Sequence, residues 1–220
     1  MATRKLLAKR SHSKAMDDPR RRVAGFILAG GESSRMGRDK ALLELEGVSL
    51  IVRAARLVES IAGPPMIVGS PERFGALGWK TIADDFPGAG PLGGIATLLH
   101  PTETEWNLVI ACDLPHLTRE WLEFLVGRAL GSNADAVLPM NERGAEPLCA
   151  MYSKRCEPAI RTTLERGTRK VTDGLAGLRV SEIEPAEWKA FDSDGLLFKN
   201  MNSPADFEEA KARIEARVKR

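Results

Sequence analysis

Apolar and polar positions along the chain follow two rhythms. Short apolar runs of the kind that form buried strands recur at Val23 to Leu28, Met66 to Val68, Lys80 to Ala83, Asn107 to Cys112, Ala134 to Leu138, Pro147 to Tyr152 and Val180 to Ile183. Between them lie stretches with helical spacing. Leu50, Ala54, Leu57, Val58 and Ile61 form one apolar stripe with Arg53, Arg56 and Glu59 opposite, and Gly63, Pro64 and Pro65 stop it. A second helix is predicted from Pro91 through Leu92, Ile95, Leu98 and Leu99. A third is capped by Thr118 and carries Leu122, Leu125, Val126 and Ala129. Lys154 to Glu165 reads as a fourth. Ser203, Pro204 and Asp206 form a start signal for a terminal helix, with a capping hydroxyl, a first-turn proline and an acid three residues on. This alternation predicts an α/β fold: a Rossmann-like, mostly parallel sheet flanked by helices. With no repeat, low-complexity stretch or linker, residues 23–220 are expected to form a single domain.

Composition changes this picture little, and charge changes it at one end. In 220 residues, 43% are hydrophobic and 28% charged, ordinary values for a globular protein with a core of its own. The net charge of +2 is unevenly spread. Residues 1–22 hold eight Lys or Arg against Asp17 and Asp18, so the remainder is mildly acidic. That segment lacks the apolar stretch of a signal peptide and reads as a disordered basic extension without assigned function. No apolar run approaches the length of a membrane span, and neither nucleic acid nor membrane is expected as a partner. Cys112, Cys149 and Cys156 have neither metal-ligand spacing nor an even disulfide framework, which suits small buried side chains in a reducing cytoplasm.

Chemistry concentrates after the first strand. Leu28, Ala29, Gly30 and Gly31 lead into a turn that carries Arg35 and ends on Lys40. Glycines let consecutive backbone N–H groups approach phosphate oxygens, and the two cations supply counter-charge. The loop is not a Walker A motif, since Gly37 is followed by Arg38 and no Ser or Thr follows Lys40; nor does it contain the dinucleotide Gly-x-Gly-x-x-Gly pattern. Asp113 follows the most apolar strand run, where open α/β sheets bind ligands, and a carboxylate facing a triphosphate suits Mg²⁺. Asp84 also lies past a strand end, with Asp85 beside it. Asn200 and Asn202 could complete a metal shell or bind an acceptor phosphate without adding negative charge. His12, His100 and His116 form no recognisable catalytic constellation.

Together these blocks carry a resemblance. The loop from Leu28 to Lys40 resembles the signature of nucleotidyltransferases, as does the block Cys112, Asp113, Leu114, Pro115. The run Gly90 to Ile95 after Asp84, the strand Glu146 to Tyr152, the turn Gly167 to Val171, and Phe198 to Asp206 are similar to blocks of the molybdopterin nucleotidyltransferase family. The resemblance spans about residues 23 to 210. It implies an enzyme that transfers GMP from GTP to the terminal phosphate of molybdenum-molybdopterin and releases pyrophosphate. Mg²⁺ is the implied cofactor, and molybdoenzymes or their chaperones are the implied recipients. Arg35, Lys40 and Asp113 would be catalytic, with Asp113 the metal ligand. Leu28, Ala29, Gly30, Gly31, Lys40, Gly69, Asp84 and Asp113 would bind the nucleotide, and Arg169, Lys170, Asn200 and Asn202 the acceptor. Gly69 departs from the Asn often found there in the family. Two alternatives remain at this point: a cytidylyltransferase or another nucleotidyltransferase of the same fold, and a non-catalytic protein that hands over the cofactor.

Overall fold

The computed structural model describes residues 22–30 and 39–218, so Gly31, Arg35 and the extension before Arg22 lie outside the described residues. Its centre is an eight-stranded sheet. In chain order the strands are β1 (Val23–Leu28), β4 (Met66–Val68), β5 (Thr81–Ile82), β6 (Trp106–Ala111), β7 (Ala136–Asn141), β8 (Gly144–Ala145), β9 (Cys149–Ser153) and β10 (Val180–Ile183), while β2 (Glu44–Leu45) and β3 (Val48–Ser49) form a separate two-stranded ribbon. The helices are α1 (Leu50–Ala62), α2 (Pro71–Phe74), α3 (Pro91–Leu99), α4 (Arg119–Leu130), α5 (Glu157–Glu165), α6 (Val171–Gly174), α7 (Pro185–Trp188) and α8 (Pro204–Val218).

The sheet order is β10, β7, β9, β6, β1, β4, β5. From β1 the chain moves outward to β4 and β5, all parallel, then returns to the other side of β1 for β6. The strand order therefore reverses between β1 and β6, the kind of crevice in which doubly wound sheets bind ligands. The sheet is mostly parallel, as expected, with a departure beyond β6. β9 lies antiparallel between β6 and β7, although β7 and β10 again pair in parallel. An apolar run reads the same in either direction, so periodicity carries no information on strand polarity.

Helices cover both faces. The apolar stripe of α1 packs with α4 against one face, where Ile27, Val58, Leu108 and Leu125 are fully buried. α3, α5 and α6 cover the other, around Leu92, Ile95, Val109 and Ile160. Burial of each such aliphatic side chain is worth about 1.5–3 kcal/mol. Gly25 permits α1 to approach: a Cβ at this position would lie 2.2 Å from Val58 Cγ1. Gly63, at φ 77°, ends α1 in a conformation that suits glycine.

β7 starts two residues later than the apolar run suggests; the Asp135 backbone still bonds Arg179 and Ser153, and its side chain enters an ion cluster. Its carboxylate accepts from Arg155 Nε (2.7 Å) and the Arg179 backbone N–H (3.0 Å). The cluster sits at the end of the sheet opposite the crevice. Arg22, the last residue of the basic segment, is tied to the domain by Glu105 (2.8 Å) and by its carbonyl, which accepts from the Trp106 N–H (3.0 Å). Among the described residues no helix is long and apolar enough to cross a membrane.

Candidate active site

The crevice is built by two strand ends and a returning tail. β1 delivers Leu28 and Ala29, both buried, and then exposed Gly30. The chain re-emerges at Asp39, which caps a single 3₁₀ turn over Lys40–Leu42 by accepting from the Ala41 N–H (3.2 Å). β6 delivers Asp113 just past its end, and the Cys112 N–H still donates to the Leu28 carbonyl (3.3 Å).

The third contributor arrives from far along the chain. Trp188 and Phe198 meet edge to face with centroids 5.0 Å apart, and Phe198 also packs on Trp121 of α4 at 5.5 Å. Trp188 Nε1 donates to the Met140 carbonyl (2.7 Å). These anchors lay residues 198–202 against the end of β6, where the Met201 N–H donates to the Asp113 carbonyl (3.0 Å).

Three side chains meet there. Lys40 Nζ donates to Asp113 Oδ2 at 2.6 Å and to Asn202 Oδ1 at 2.9 Å. The Lys40 and Asp113 side chains are only 17% and 19% exposed, so their attraction is less screened than on an open surface. Asp113 Oδ1 is buried and has no hydrogen-bond partner among the described residues. A buried carboxylate oxygen left bare costs free energy unless something binds it.

That oxygen is the test of whether a metal fits. Among the described residues no three His, Cys, Asp or Glu side chains gather, so an all-protein cage of the zinc kind is not formed there. A Mg²⁺-type ion needs only one or two carboxylates and completes its shell with phosphate oxygens and water. The bare oxygen of Asp113 suits such an ion. Cys112, next in the chain, is half-buried, and desolvation together with the charge of Asp113 pushes its thiol up to about 12.

The remaining expected residues are more dispersed. Asp84 is held within its own turn, where Oδ1 accepts from the Phe86 N–H (2.9 Å) and Thr97 Oγ1 (3.0 Å). Asp85 is exposed, and its N–H donates to the same threonine (3.0 Å). Gly69 follows β4 and donates to the Ile82 carbonyl (2.9 Å). Arg169 and Lys170 are exposed before α6, and neither makes an ion pair among the described residues. Asn200 and Asn202 diverge: Asn202 meets Lys40, whereas Asn200 lines a shallow groove with His116, Lys199 and Arg213.

Two features go beyond the sequence, in which Glu146 only opens a family-like strand and Arg73 carries no signal. Glu146 precedes β9 and is hydrogen-bonded by Asn141 Nδ2. Burial raises its carboxyl above the usual range and the charge of Asp113 adds to this, while Asn141 and Arg143 oppose it. The second is Arg73 on α2, whose guanidinium bonds Asp39 (Nε to Oδ2, 2.7 Å). Ser70 and Pro71 do signal the start of α2, but nothing in the local pattern says where Arg73 points.

Comparison with known proteins agrees with this geometry. Residues 25–180 match the model of the MobA-like NTP transferase domain. The chain is 35% identical over 197 residues to a molybdenum cofactor guanylyltransferase of Desulfosudis oleivorans, covering 88% of this chain and 96% of that protein. A crystal structure of molybdopterin-guanine dinucleotide biosynthesis protein A from Archaeoglobus fulgidus superposes with a TM-score of 0.77 at 25% identity, covering 88% of this chain and 99% of that one. The 2-C-methyl-D-erythritol 4-phosphate cytidylyltransferase of Thermus thermophilus shares the fold, with a TM-score of 0.62 at 14% identity and coverage of 86% and 98%. With its strand order, crevice and three-way meeting at Asp113, the chain belongs to the MobA-like NTP transferase family.

Proposed function

We propose that this protein transfers GMP from GTP to the terminal phosphate of molybdenum-loaded molybdopterin, in the cytoplasm, and passes the dinucleotide cofactor to molybdoenzymes or their chaperones. The observation that carries the reading is the meeting of Lys40, Asp113 and Asn202 at the strand-order reversal, with Asp113 Oδ1 left bare. The guanylyltransferase relative at 35% identity favours guanine over the cytidylyl alternative.

In the reaction, an oxygen of the acceptor phosphate attacks the α-phosphorus of GTP in line. A new P–O bond forms, the bond between the α-phosphorus and its bridging oxygen to the β-phosphate breaks, and pyrophosphate leaves with that electron pair. The attacking phosphate is already ionised at neutral pH, so no general base is required. Catalysis then consists of positioning and charge stabilisation. The backbone from Leu28 to Gly31 cradles the phosphates, and Arg35 and Lys40 stabilise the triphosphate and the charge growing on pyrophosphate. Asp113 would hold Mg²⁺, which when bound would offset negative charge on the triphosphate. Asn202 orients Lys40 and faces the acceptor phosphate, with Arg169 and Lys170 as further acceptor-side cations and Asn200 in the groove beside it. Gly69 and Asp84 line the nucleoside side. Residues 23–220 act as one nucleotidyltransferase domain.

The test is to incubate the protein with Mg²⁺, molybdenum-loaded molybdopterin and each nucleoside triphosphate in turn, measuring pyrophosphate and the dinucleotide formed. GTP should be incorporated, and chelation of the metal should stop the reaction. Preferential incorporation of CTP would overturn the base assignment. Binding of GTP without pyrophosphate release would overturn the enzymatic one.

A further inference from the structure

Lys40 sits on a single turn of 3₁₀ helix between the glycine-rich loop and the β2–β3 ribbon. One turn this short has little stability of its own. Asp39 contributes both of its oxygens to holding it. Oδ1 caps the turn through the Ala41 N–H (3.2 Å), and Oδ2 accepts from Arg73 Nε (2.7 Å) and is paired with the second guanidinium arm. Arg73 in turn lies over the Phe74 ring, with the guanidinium carbon 5.0 Å from the ring centroid.

The ring is fixed by residue 69. A Cβ at Gly69 would lie 2.9 Å from Phe74 Cε2 and 3.3 Å from the Ala29 carbonyl, so any side chain there would compete with the ring for space. Gly69 therefore admits Phe74, Phe74 backs Arg73, Arg73 binds Asp39, and Asp39 fixes the turn that aims Lys40 at Asp113. This contact series links the end of β4 to the Lys40 ammonium.

We propose that Arg73 is a positioning residue for the transfer reaction, acting through Asp39 to set the Lys40 turn rather than through contact with either substrate. The inference rests on the guanylyltransfer reading for its kinetic consequence, but not for its structural one. An arginine fork on a carboxylate gives directional as well as electrostatic restraint. An error of about 1 Å in the placement of a catalytic group costs up to about 100-fold in rate.

The experiment is a double-mutant cycle of Arg73→Ala and Asp39→Asn on the full chain. Asparagine keeps the cap on Ala41 but removes the charge that Arg73 binds. Steady-state pyrophosphate release is measured with GTP, Mg²⁺ and the acceptor, and hydrogen exchange is followed at the Ala41, Leu42 and Leu43 amides. Each single variant should lower kcat about ten-fold with KM for GTP within about three-fold of the parent, and should speed exchange at those amides. The double variant should be no slower than the slower single one. Multiplying losses, a loss confined to KM, or unchanged exchange would overturn the proposal. If the parent protein does not transfer GMP, the functional reading fails, while the exchange measurement still decides whether the latch exists.

Discussion

Asp113 and Asp135 are carboxylates of similar burial at opposite ends of the same sheet, with side chains 19% and 10% exposed. Their surroundings differ in kind. Around Asp135 both oxygens are used, by Arg155 Nε on one and by the backbone and guanidinium of Arg179 on the other. Hydrogen bonding from Arg155 first, and from Arg179 next, holds its pKa at about 2 against an ordinary 3.8. At Asp113 one oxygen meets Lys40 and the other is buried without a partner among the described residues. A carboxylate with every lone pair engaged fastens strands together. One that keeps an oxygen in reserve gives up stability for the capacity to bind a cation.

This contrast can be broken from either end. The largest effect is expected from Asp113→Ala, which should abolish Mg²⁺-dependent pyrophosphate release while leaving the thermal midpoint unchanged or raised; retained turnover would remove Asp113 from the chemistry. Lys40→Ala should cost about 2–4 kcal/mol of transition-state stabilisation, read from kcat/KM for GTP. Asp135→Asn should behave in the opposite way. Its expected loss is about 1–3 kcal/mol of folding stability by urea titration, discounted because both arginines are well exposed, with kcat unchanged for the folded fraction.

The smallest effect sharpens the comparison by pH. Because the folded-state pKa of Asp135 is depressed, its contribution is fully present above the ordinary carboxylate range and is lost as pH falls through about 2. The stability gap between the parent and Asp135→Asn should therefore hold at neutral pH and close progressively below about pH 4. A gap that persisted at pH 2 would mean that the cluster acts through packing rather than charge.

Local pattern accounts for much of this architecture. β1, β4, β10 and the starts of α1, α3 and α8 were legible because strand runs, helical stripes and caps are written in neighbouring residues. At the last of these, Ser203 and Asp206 bond one another and each other's backbone as the pattern requires. The polarity of β9 was not legible, since alternation has no direction. The persistence of β7 past Pro139 was also hidden. β9 pairs only with Ala136 and Val137, whereas β10 runs beside Pro139 through Ile183 and the Pro139 carbonyl accepts from the Glu146 N–H (2.8 Å).

The site divides along the same line. Glycines, Lys40 and Asp113 stood out by residue type and spacing. The contact between Asn202 and Lys40 did not, because it joins positions 162 apart and depends on the aromatic anchor at Trp121, Trp188 and Phe198. Arg73 was invisible for a similar reason: its partner Asp39 lies 34 positions away.

That long separation also sets an order of events during synthesis. The glycine-rich loop leaves the ribosome early, and Asp113 follows while the sheet is still incomplete. Asn202, and the Met201 amide that holds the Asp113 carbonyl, follow only after β7, β9 and β10. A nascent chain thus holds Lys40 and Asp113 long before it holds the residue that joins them. The order of the chain withholds from Lys40 its contact with Asn202 until residue 202 itself has been made.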